Sequence, residues 1–95
     1  MKRSWALPLS AVLAAGLAVG CSSATALNNA RTSFEKAKAA GAEAKAPYEY
    51  YSAQSYLGLA EHETQEGDRH GAREFAETSR KFSTEALQKA GGGAK

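Results

Sequence analysis

The stretch AREFAETSRKFSTEALQKA, residues 72–90, decides the fold. Ala72, Phe75, Ala76, Ser79, Phe82, Ser83, Ala86, Leu87 and Ala90 fall within roughly 140° when successive residues are set 100° apart. Arg73, Glu74, Glu77, Arg80, Lys81, Glu85, Gln88 and Lys89 occupy the opposite arc. Glu77 with Lys81, and Glu85 with Lys89, are spaced i,i+4 with the acid first, the order that supports a helix. This is an amphipathic helix, predicted over residues 68–90, that needs neighbours to cover its small-residue stripe.

Those neighbours lie upstream. Glu66, Gly67 and Asp68 read as a stop and a restart, since glycine takes the left-handed position after a helix and aspartate caps the next one. Before them, Tyr50, Ala53, Leu57, Ala60 and Thr64 form a stripe of a second helix, predicted over 47–66. Pro47 suits its first turn, where a missing amide hydrogen costs nothing. Tyr48, Tyr51 and Leu59 point to the other side, so this helix is expected in the centre, with the other two packed on it. Further upstream, Leu27, Ala30, Phe34, Ala37, Gly41 and Ala44 keep a 3-4 rhythm that predicts a first helix over 24–40, capped by Ser23 or Thr25. A connection runs to Ala46, because the residue before a proline disfavours helix. No β pattern appears. The expected fold is all-α, an antiparallel three-helix arrangement over residues 24–90, with residues 91–95 (GGGAK) as a flexible tail. Alanine dominates the contact stripes, so helices approach closely while burying little apolar area.

The N-terminal segment has a different character. Lys2 and Arg3 precede residues 5–20, WALPLSAVLAAGLAVG, which carry no charge. At 16 residues the run is shorter than the roughly 20 that cross a bilayer. Its positive, apolar and small-residue order is that of a secretory signal peptide, residues 1–20. Leu17, Ala18, Val19 and Gly20 lead into Cys21, the only cysteine, and this resembles a bacterial lipobox, although Ala18 stands where leucine is usual. The resemblance implies cleavage between Gly20 and Cys21 and attachment of a diacylglycerol and an N-acyl chain to Cys21. The thiolate is the nucleophile such chemistry needs. Residues 21–23 would then be a lipidated tether. Ser22, rather than aspartate, after the cysteine implies sorting to the outer membrane, facing the periplasm.

Composition narrows the partners. The formal net charge of +2 equals the contribution of Lys2 and Arg3, so the remainder balances ten basic against ten acidic residues. No basic stripe interleaved with aromatics is present, and nucleic acid is not an expected partner.

Candidate chemistry is sparse. His62 and His70 lie in EHETQEGDRH among Glu61, Glu63, Glu66 and Asp68. The position four after His62 is Glu66, so the two-histidine zinc helix is absent, and the segment reads as a solvated turn with no metal site. Four tyrosines sit in PYEYYSAQSY. Tyr50 and Tyr56 are expected in the core, whereas Tyr48 and Tyr51 are candidates for binding a partner protein or a glycan strand. No nucleophile motif, glycine-rich phosphate loop or paired carboxylates appear. No enzyme, cofactor or small-molecule substrate is expected.

The alanine register of the first helix, the connection AGAEAKAPYEYYSAQSYL, the EGD turn and the spacing of Ala72, Ala76 and Ala86 resemble the domain-of-unknown-function 4398 family. That likeness covers nearly all the chain after Cys21 and implies a small envelope lipoprotein. The second and third helices also resemble one tetratricopeptide-type hairpin, which is helical but implies no activity. A weaker resemblance, to the murein lipoprotein, rests on Lys95 in the GGGAK tail. It implies peptidoglycan attachment at Lys95, although this chain lacks the Tyr-Arg pair before the lysine and its prolines and glycines break a continuous coiled coil. The expected role is a lipid-anchored structural or interaction protein of the cell envelope, partnered by an envelope protein or peptidoglycan. The alternative is a tether between outer membrane and peptidoglycan through Lys95.

Overall fold

A computed structural model describes residues 22–91 of the 95. The segment expected to be a signal peptide, the Gly20 and Cys21 junction and Lys95 lie outside the described residues. The described chain is all-α. Helix α1 spans Ser23–Ala39, α2 Ala42–Lys45, α3 Pro47–Gln65 and α4 Arg69–Lys89. None of these helices is long and apolar enough to cross a membrane.

Local chemistry sets the boundaries. Ser22, not Ser23 or Thr25, caps α1: its Oγ accepts the Thr25 amide at 3.3 Å. Two of the three residues read as a tether therefore belong to the cap and first turn of a helix. Past the last residue of α1 and its cap Ala40, Gly41 stops the helix: its φ of 81° is left-handed and its amide donates to the Lys38 carbonyl at 3.0 Å. The expected loop to Ala46 instead winds into α2, and it is part of the core, because Ala42 and Ala46 are buried. Pro47 opens α3 as expected. α3 closes with the Schellman pattern: the Gly67 amide donates to Thr64 and the Asp68 amide to Glu63, with Gly67 at φ 83°. Asp68 then caps α4, its Oδ1 accepting the Gly71 amide at 2.9 Å.

Cross-contacts fix the directions. Arg31 Nε donates to Glu61 at 3.1 Å while Phe34 meets Tyr50 at 4.9 Å between ring centroids, so α1 and α3 are antiparallel. Ser79 Oγ donates to the Ala53 carbonyl at 2.8 Å and Lys89 Nζ donates to Glu49, so α3 and α4 are antiparallel as well. α1 and α4 therefore run parallel.

The central helix is α4, which corrects the expectation that the second long helix would hold that place. α4 packs extensively on both α3 and α1, whereas α1 and α3 meet sparsely. The reason is side-chain size. Ala72, Ala76, Ser79, Ser83 and Ala86 are all buried on α4 and let both neighbours come close. Between α1 and α3 stand the Phe34 and Tyr50 rings, which hold the helix axes apart. Phe34 and Tyr50, with Ala37, Ala53 and Ala86, form one core cluster, and Leu27, Ala30, Ala60 and Ala76 form another. Leu57 packs against both. The core is continuous but thin.

Candidate functional site

α3 turns one face inward through Glu49, Tyr50, Ala53 and Ala60. Directly opposite, Gly58, Tyr51, His62, Ser55, Tyr48, Leu59 and Ser52 share an arc of roughly 120° at 100° per residue. No Asp, Glu, Lys or Arg lies in that arc. Large side chains stand open to solvent there: Tyr48 is 71% exposed, Tyr51 46% and Leu59 43%. Pro47, Tyr48, Tyr51, Ser55, Tyr56 and Leu59 line a shallow groove along it.

The groove is held by aromatic contacts to α4 on one side and by α2 on the other. Tyr56 stacks on Phe82 at 5.8 Å and lies 6.0 Å from Phe75. Tyr48 presents its edge to Phe82 at 6.0 Å. The Tyr51 hydroxyl donates to the Glu43 carboxylate at 2.6 Å, which pushes the phenol pKa above its ordinary value. Glu43 belongs to the short helix that the sequence reading took as a loop, so its role in orienting Tyr51 was not foreseen.

The sequence-derived candidates are placed as follows. Tyr50 is buried, as expected, and Tyr56 is half-buried at the seam with α4. Tyr48 and Tyr51 lie on the outward face, joined there by Ser52, Ser55 and Leu59. His62 is exposed on α3, and His70 is exposed on the first turn of α4, 3.4 Å from the Glu74 carboxylate. Among the described residues no group of three or more His, Cys, Asp or Glu is gathered as a metal site. Elsewhere, the buried Glu49 carboxylate is held below its usual pKa range, chiefly by its hydrogen bond from Lys89, and Lys89 is raised by the same bond.

The outward face offers amphipathic rings and hydroxyls, a chemistry suited to docking by shape and van der Waals contact. The fold defines a small, all-α, alanine-cored helical domain with one uncharged aromatic face. Residues 25–92 match the model of the family described as a domain of unknown function (DUF4398), and the chain belongs to that family. No curated protein and no solved structure matches the chain.

Proposed function

We propose that this protein is a lipid-anchored component of the bacterial cell envelope with a non-catalytic, docking role. In this reading Cys21 carries a diacylglycerol and an N-acyl chain, and the bundle stands at the outer membrane facing the periplasm. The outward face of α3, with Tyr48 and Tyr51, is the docking surface, and no other cofactor is required. One observation carries the anchor: the charged start, the uncharged run of residues 5–20 and the small residues leading into the only cysteine. A single acyl chain gives marginal membrane binding, so the reading requires more than one chain on Cys21.

The test is the intact mass and terminal peptides of the protein from membranes and from lysozyme-digested sacculi. A first residue Cys21 bearing acyl mass, with Lys95 unmodified, supports the reading. An unacylated Cys21 sinks it. A muropeptide on Lys95 replaces the docking role with a covalent tether between membrane and wall.

A further inference from the structure

α3 has apolar residues on two faces, and only the inward one, which carries Glu49, is covered within the described chain. The other would be accounted for if α3 were the central helix, but α4 holds that place. On the uncovered face Tyr48, Ser52, Ser55, Leu59 and His62 follow spacings of four, three, four and three, the period of a helix-pairing seam. Gly58 borders that seam in the middle of α3. Glycine weakens a helix interior, yet a Cβ built at Gly58 would meet nothing within 4 Å. No contact among the described residues calls for a glycine there. A second helix approaching closely from outside does, and Ser52 and Ser55 leave the same room.

We infer that the outward face of α3 pairs with the same face of a second copy of this chain. Charge selects that occupant. A two-fold interface sets residues near the axis against their own counterparts, so a charged face repels itself. Glu49, the only ionised side chain between Pro47 and Ala60, is buried and bonded to Lys89, and the Glu43 carboxylate at the flank is bonded to Tyr51, so two such faces meet with no like charges opposed along the seam. The orientation rests on the proposed anchor. Two copies held in one leaflet by Cys21 stand the same way up, so their α3 helices run parallel and Ser55 faces Ser55 near the axis.

Oxidative crosslinking of the full chain in its own membrane tests this, with Ser55→Cys, Tyr48→Cys and, as baseline, Thr32→Cys on the exposed side of α1. Thr32→Cys also reports any bond formed by Cys21. The expected result is a disulfide dimer of twice the chain mass for Ser55→Cys above that baseline. No such band, or a Ser55→Cys adduct of another mass, overturns the pairing. Tyr48→Cys crosslinks to itself only in parallel pairs. Its failure beside a successful Ser55→Cys overturns the orientation drawn from the anchor and leaves the pairing standing. Ser55→Glu sets two carboxylates against each other and is expected to lower the dimer fraction roughly tenfold or more, with the helical circular dichroism unchanged. An undiminished dimer fraction in that variant also overturns the pairing.

Discussion

Ser79 and Ser83 lie one turn apart on the same buried stripe of α4, and only Ser79 has a partner. Its hydroxyl donates to the Ala53 carbonyl at 2.8 Å across to α3, whereas Ser83 Oγ has no hydrogen-bond partner among the described residues. Both side chains are fully buried. The same substitution should therefore have opposite effects at the two sites. Ser79→Ala loses a buried hydrogen bond and is expected to cost about 1 kcal/mol, while Ser83→Ala removes an unpaired hydroxyl and is expected to gain about 1 kcal/mol. Urea titrations followed by circular dichroism read both. A loss of stability in Ser83→Ala would show that its hydroxyl is satisfied.

Two glycines form a second opposed pair. Gly41 has φ 81° at the end of α1, so Gly41→Ala must hold a left-handed residue at a cost of about 1–2 kcal/mol. Gly58 lies in ordinary helix, and Gly58→Ala should gain about 1 kcal/mol in dilute protein. Thermal melts at one low concentration check the signs. A neutral Gly41→Ala would mean that the turn into α2 is dispensable.

Phe34 carries an unusual share of this thin core. Phe34→Ala should cost about 3–5 kcal/mol. That is comparable to the few kcal/mol one core supplies at this size. The variant should be mostly unfolded without denaturant, with lost helical signal, while Phe34→Leu keeps the fold. A cooperative, near-native melt for Phe34→Ala would show that the alanine contacts suffice.

Stability should fall in acid. Asp68 is held below its ordinary 3.8, first by the Gly71 amide, and Glu49 below its ordinary 4.5, first by Lys89. Groups lowered in the folded state stabilise it above their unfolded pKa, and that contribution is lost as pH falls through the folded value. The window therefore opens near pH 4.5 and extends downward. Lys89, raised by Glu49, acts in the other direction: its contribution is complete below the unfolded pKa and is lost only in strong alkali. The combined Asp68→Asn and Glu49→Gln variant should show a shallower acid limb in melts between about pH 5 and 2. An unchanged limb would assign the acid loss to other carboxylates.

The cap of α4 leaves no room at Gly71. A Cβ there would lie 2.6 Å from Asp68 Oδ2, so Gly71→Ala must displace the carboxylate from the amide it accepts. Its melting temperature should fall below wild type above pH 5, and the difference should narrow in acid, where Asp68 is protonated in both. A gap that persists at low pH would point to a steric cost separate from the cap.

Much of the fold was legible because its signals are local. Pro47, Gly67 and Asp68 act on their own turns, and the stripe of α4 is readable from residues 72–90 alone. Ser22 as cap and the winding of α2 were missed, since several polar residues compete for one cap and a four-residue helix carries no periodicity. The central helix was misassigned for a different reason. Periodicity shows that α3 has two apolar faces, but which helix covers them is decided by size across the interface. The small stripe of Ala72, Ala76, Ser79, Ser83 and Ala86 won that place for α4. Tyr48 and Tyr51 could be named as candidates from sequence, yet their exposure follows only once α4 is central.

An odd number of long helices gives this domain two opposite poles. α1 starts beside Arg73 and Glu77 near one pole and α4 ends at the other, so the rise of α4 from there to its end sets roughly 20–25 Å between them. Whatever joins the chain before Ser22 is kept about that far from whatever follows Gly91. Tension between the two ends would slide parallel α1 and α4 lengthwise against each other, loading their whole row of contacts at once instead of peeling them one by one. Along that direction the three long helices of the described residues resist being drawn apart.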